Sequence, residues 1–248
     1  MPRYFMELAY RGKQYHGWQR QPNAISVQQT VEERLSLLLR ETISLTTAGR
    51  TDAGVHALQT FAHFDVTKDF DTVFMKKRLN AFLPEDIVVK RFIQVPDNAH
   101  ARYDATEREY VYKIIQSKNP FMWDLAWELF EPLNMKAMNT AASVLMQYED
   151  FQSFSKVKTD VKTFNCDIRQ ASWRKKGDLL IFRISANRFL RNMVRAIVGT
   201  LVEIGLGKIP PEQMHTIIQS KNRSQAGPSA PAQGLYLYRV KYKPGIID

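Results

Sequence analysis

Residues 42–66 read TISLTTAGRTDAGVHALQTFAHFDV. The outer parts are rich in β-branched and aromatic residues, so they predict two strands around a polar loop. TISLTTA (42–48) is the first of these. In LQTFAHFDV (58–66) the spacing puts Leu58, Ala62, Phe64 and Val66 on one face. Between them Gly49 and Gly54 bracket Arg50, Thr51 and Asp52. Asp on such a loop is commonly a turn residue, because it accepts local backbone hydrogen bonds and tolerates left-handed backbone. The loop lacks the spacing of a phosphate-binding GxxxxGK[ST] loop. It has no second carboxylate nearby, since Asp65, Asp69 and Asp71 lie beyond a strand. A hydrolase with paired carboxylates has little local support.

Working outward, RYFMELAY (3–10) and DIVVKRFIQV (86–95) are predicted strands. Ser26 with Gln29 forms a capping box, after which Val27, Val31, Leu35 and Leu38 recur at helical spacing. A second helix is expected over Thr72–Phe82, stopped by Pro84. Beyond residue 105 the reading gives a strand at 108–116, a helix at 134–147, a hairpin turning at Lys176-Gly177 and a closing strand at 234–242. The longest helix is expected over 188–205, with Leu190, Val194, Ile197, Leu201 and Ile204 inward. This mixture predicts an α+β fold of mainly antiparallel sheets flanked by helices, in two similar halves: 1–105, with the Asp52 loop, and 106–248.

Composition narrows the function classes. The chain has 248 residues, 44% hydrophobic and 24% charged, as a folded domain requires. A single cysteine, Cys166, makes neither an internal disulfide nor a Cys-rich zinc site. MPRYFMELAY lacks a signal-peptide apolar run, and no stretch reads as a membrane span, so a cytoplasmic protein is expected. The formal net charge is +10, with +2 in residues 1–105 and +8 in 106–248. An excess of this size suits a polyanion, although many basic proteins bind none.

Several side chains fit an RNA partner. In YRGKQYHGWQRQ (10–21), Arg11, Lys13 and Arg20 interleave with Tyr10, Tyr15 and Trp18. Guanidinium groups hold phosphates and rings stack on bases, though Trp18 could equally plug the core. Tyr110 and Tyr112 share one face of their strand, as core residues or as a ring surface. Arg191 and Arg195 are expected as i,i+4 neighbours on the long helix, with Arg195 half buried and in need of an anion. His56 and His63 lack the HExxH spacing and are read as ordinary polar side chains.

Five ordered blocks make the pattern specific: YRGKQYHGWQRQ, AGRTDAGVHALQ, HARYDATEREYVYKI, ANRFLRNMVRAIVGTLVEIG and GLYLYRVKY. Together they resemble the TruA family of tRNA pseudouridine synthases across residues 3–242. The resemblance implies the pseudouridine synthase fold, two α+β halves with a basic active-site cleft between them, working as a homodimer. It implies isomerisation of uridine to pseudouridine at positions 38 to 40, in the anticodon arm of tRNA, with Asp52 as the catalytic residue. By the same resemblance Arg50 helps displace the target base, Tyr110 stacks on the uracil, Arg195 pairs with the catalytic carboxylate and Leu235 walls the pocket. Isomerisation exchanges no electrons and imports no group, so no cofactor or metal is expected. Two other readings fit parts of the pattern. An RNA-binding protein without turnover has no use for Asp52, and a glycosidase acting on free nucleosides has no use for the basic half.

Overall fold

The computed structural model describes residues 1–157 and 161–247. Its chain divides into two compact units, Met1–Glu107 with Tyr236–Asp248, and Arg108–Leu235.

In the first unit, β1 (Arg3–Tyr10) lies antiparallel between β3 (His56–Asp65) and β4 (Ile87–Val95). β2 is only Thr46–Thr47, paired with β3. The expected strand over 42–48 is thus mostly loop. Glu32, a buried carboxylate on the neighbouring helix, accepts the Leu45 N–H (2.8 Å), and the Ser36 hydroxyl accepts that of Ile43 (2.9 Å). Backbone groups held by side chains are withdrawn from a ladder.

That helix, α1 (Val27–Leu39), begins where Ser26 caps it: Ser26 Oγ accepts the Gln29 N–H at 3.2 Å. The expected capping box is half formed, since the Gln29 side chain turns to Glu33 instead (2.9 Å). α2 spans Thr72–Phe82 as expected, with the Asp71 carboxylate accepting the Val73 and Phe74 N–H groups. Val27, Val31, Leu35 and Leu79 are fully buried with Phe5, Phe61 and Phe64. Leu58, expected on the buried face, stands 40% exposed near the start of β3.

The closing strand β9 (Leu235–Tyr242), expected with the second half, packs with the first unit. It pairs in parallel with β3 at His56–Tyr236 and Ala57–Leu237. Lys241 Nζ lies 2.6 Å from Glu107, the Val240 N–H donates to Gln59 (3.1 Å), and the Tyr242 hydroxyl donates to the Ala101 carbonyl (2.6 Å). Sequence distance hides such a return, because a strand that pairs in parallel needs a long connection.

In the second unit, β8 (Leu179–Ala186) lies between β5 (Ala105–Ile115) and β7 (Ile168–Lys176), antiparallel to both. β6 (Trp127–Glu128) adds in parallel to β5. Lys176 faces Leu179 across the turn, where Gly177 takes a φ of +58°. α3 (Met135–Val144), α4 (Met193–Gly205) and α5 (Gln213–Gln219) complete the unit. All five apolar residues expected to face inward along 188–205 are buried.

The start of α4 departs from expectation by five residues. Asn192 has a φ of +65°, outside right-handed helix, and its amide donates to the Ser229 hydroxyl at 2.6 Å. Arg188 and Arg191 therefore precede the helix, and Arg191 is not the helical neighbour of Arg195. No helix among the described residues is long and apolar enough to cross a membrane.

Candidate active site

The loop 48–55 is held from one side by the segment 10–18. The Thr51 carbonyl accepts the Trp18 N–H (3.1 Å), and the Gly54 N–H donates to the Tyr15 carbonyl (3.2 Å). The hydroxyls of Tyr10 and Thr51 meet at 2.8 Å in a buried contact. Inside the loop, the Val55 N–H donates to the Asp52 carbonyl (3.1 Å), closing a tight turn. That turn needs Gly54 with its φ of +77°.

Two further glycines let the segments approach. A Cβ on Gly12 would collide with the Val55 carbonyl oxygen and sit 2.6 Å from the carbonyl carbon. Gly17, at φ +89°, has room for no side chain: a Cβ would lie 2.5 Å from the Thr51 carbonyl oxygen. The exit is pinned by His56, whose Nδ1 accepts the Gly12 N–H at 3.0 Å while its ring stacks on Tyr236 at 4.7 Å. An Nδ1 that accepts leaves the proton of a neutral ring on Nε2. The outcome is a half-buried Asp52 on a backbone with little freedom, and an exposed Arg50 beside it. A side chain on a backbone fixed in this way needs little further ordering to bind or react.

The rings of the 10–20 loop are not base-stacking surfaces. Tyr10, Tyr15 and Trp18 are 4%, 6% and 1% exposed. The Tyr15 hydroxyl donates to Asp86 at 2.6 Å, and burial followed by this carboxylate raises its pKa. The cations of the loop, Arg11, Lys13 and Arg20, are exposed, and Arg20 lies 3.6 Å from both Glu32 and Glu33. The sequence reading missed Gly12, Gly17 and His56 as the builders of the loop. Their signal was two glycines in an aromatic segment, where only close backbone approach or positive φ calls for them.

The second unit carries the other predicted residues. On β5, Tyr110 is 8% exposed and meets Phe189 edge-to-face at 5.1 Å. Tyr112 is fully buried, and its hydroxyl donates to the Pro231 carbonyl at 2.8 Å. Burial raises its pKa strongly, against a smaller opposing effect of Arg195. Its ring leaves no space for a side chain at Gly234, one residue before Leu235, itself 5% exposed. Arg195 is half-buried, as expected, on the first turn of α4. Its Nε donates to the Ala230 carbonyl at 2.6 Å, and its own carbonyl accepts the Ala230 N–H at 2.9 Å. The segment 230–235 thus gathers Arg195, Tyr112 and Leu235. Arg108–Leu235 carries 18 Lys and Arg against 11 Asp and Glu. Among the described residues, no three or more His, Cys, Asp or Glu side chains are grouped so as to hold a metal ion.

A family model described as tRNA pseudouridine synthase matches residues 8–104 and 141–243, which include the Asp52 loop, α4 and β9. The chain belongs to that family, in its TruA branch. It is 49% identical over 243 residues to tRNA pseudouridine synthase A of Parabacteroides distasonis, covering 98% of this chain and 96% of that protein. It is 50% identical over 246 residues to the protein of the same name from Porphyromonas gingivalis, covering 98% of each. A more distant relative of that name, from an Exiguobacterium species, is 40% identical over 243 residues, 98% of this chain and 99% of its own length.

Proposed function

We propose that this chain converts uridine to pseudouridine in the anticodon stem-loop of tRNA, at positions 38 to 40, with Asp52 as the catalytic carboxylate and no cofactor. Family membership supplies the coarse part, an isomerase that acts on tRNA. Asp52 is supported by one observation above the others: a half-buried carboxylate on a loop whose two flanks are bonded to the backbone of Trp18 and Tyr15.

The reaction breaks the bond from N1 of uracil to C1′ of the ribose, turns the base, and joins C5 to C1′. The C5 proton leaves and N1 gains one, so atoms and electrons balance within the nucleotide. A carboxylate is suited to this as nucleophile or as base. The target base must first leave its stack, at a cost of roughly a few kcal/mol. Exposed Arg50 suits displacing the base, Tyr110 suits stacking on the uracil, and Leu235 offers an apolar wall. Arg195 is read as the partner of the catalytic carboxylate. The surplus of cations in Arg108–Leu235 suits contacts to the tRNA backbone. We read the enzyme as a cytoplasmic homodimer.

The test is incubation of the purified protein with unmodified tRNA transcripts and with free uridine, followed by mass mapping. Pseudouridine confined to positions 38 to 40 of tRNA is expected, with none from the free nucleoside. Conversion of free uridine, or modification confined to another arm, would overturn the proposal.

A further inference from the structure

HARYD (100–104) opens one of the specific blocks, HARYDATEREYVYKI. Its turn is closed by its own side chains. The His100 N–H donates to the Asp104 carboxylate (2.6 Å), and the Asp104 N–H to the His100 carbonyl (3.0 Å). His100 Nδ1 accepts the N–H groups of Arg102 (3.1 Å) and Tyr103 (3.3 Å). The turn is also bolted to the sheet. The Ala101 N–H donates to buried His63 (3.1 Å), and the Ala101 carbonyl accepts the Tyr242 hydroxyl (2.6 Å).

On this fixed backbone one large ring points outward. Tyr103 is 74% exposed, so it contributes little to the core. Its inner neighbour is the His100 ring, 4.2 Å away at 35°, and the Arg102 guanidinium sits 5.9 Å from its centroid. An exposed ring on a rigid turn, backed by a second ring and a cation, is how proteins hold an unpaired base. The π-face stacks, the cation meets the phosphate, and little order has to be gained on binding.

We propose that Tyr103, with His100 behind it and Arg102 beside it, is a stacking platform for an unpaired nucleotide of the bound tRNA. The proposal rests on the reading of tRNA as substrate and adds a second contact to it. β3 sets the separation. His56 leaves the Asp52 loop at one end and His63 holds the Tyr103 turn seven residues further on, roughly 20 Å along the strand. The nucleotide on Tyr103 is therefore not the one that reacts at Asp52.

Filter binding of an unmodified tRNA transcript, at several salt concentrations, tests this with wild type, Tyr103→Ala, Tyr103→Phe and Arg102→Gln. Tyr103→Ala should weaken binding roughly ten-fold with an unchanged salt slope, because stacking releases no counterions. Tyr103→Phe should bind as wild type. Arg102→Gln should lower the slope by about one unit. Melting temperatures should not move, since the ring lies outside the core. Wild-type affinity in Tyr103→Ala, or equal losses in Ala and Phe variants, would overturn the platform. A wild-type protein that fails to bind the transcript would instead remove the tRNA reading, and the platform with it.

Discussion

The Gly12 N–H donates to His56 Nδ1 at 3.0 Å, so the first residues after β1 are tied to the first residue of β3 just past the Asp52 loop. The contact works only because Gly12 has no side chain, as a Cβ would run into the Val55 carbonyl. Backbone atoms cannot yield as a flexible side chain would. Gly12→Ala is therefore expected to cost about 2 kcal/mol of stability. It should also displace Asp52 enough to lower single-turnover rates about 10²-fold. At Gly49 an added Cβ meets nothing within 4 Å, so Gly49→Ala should melt like wild type. Thermal melts and single-turnover assays on both variants separate crowding from the mere loss of a loop glycine.

Tyr110 offers a test of ring against hydroxyl. Its edge-to-face contact with Phe189 survives in Tyr110→Phe, which should keep most of the turnover. Tyr110→Ala removes a ring worth about 1–3 kcal/mol to a stacked base, and turnover should fall roughly ten- to a hundred-fold. Equal losses in the two variants would transfer the role to the hydroxyl.

The α4 boundary shows where pattern reading stops. Apolar periodicity located the buried face of 188–205 correctly, because burial follows spacing. It could not register the backbone at Asn192, where a left-handed φ and a bond to Ser229, 37 residues on, make the helix start late. Capping chemistry was half legible at Ser26, where Gln29 had the alternative of Glu33, while the cap that Asp71 gives α2 went unread. Asp52 and Arg195 were picked out by motif. The glycines and histidine that hold the Asp52 loop were not, since their role is set by tertiary approach.

His63 predicts an acid limit to stability. Burial first, then the neighbouring His100 and Arg3, lowers its pKa from 6.5 to about 4. The folded state keeps the ring neutral where the unfolded chain takes up a proton. Its contribution is complete above pH 6.5, declines as pH falls toward 4, and changes no further below that. About 2 kcal/mol is expected to be lost across this window. His63→Asn keeps an acceptor for the Ala101 N–H without a titrating ring. Its stability, followed by denaturant unfolding, should fall less than that of wild type between neutral pH and pH 4.

Lys175 and Lys176 end β7 and are exposed, so charge reversal there should leave the fold intact. If this hairpin touches tRNA, Lys175→Glu with Lys176→Glu should weaken binding and reduce the slope of log K against log salt by about one to two units. An unchanged slope would assign the contacts to other cations, such as Arg11, Lys13 and Arg188.

Asp52 is proposed to perform the chemistry, beyond serving as a turn residue of its loop. Asp52→Asn keeps the size and polarity of the side chain but removes the carboxylate. The decisive measurement is single-turnover pseudouridine formation on an unmodified tRNA transcript, with affinity measured in parallel by filter binding. Turnover should vanish while affinity stays within a few-fold of wild type. Wild-type turnover in the purified Asn variant would show that the Asp52 carboxylate does not perform the chemistry.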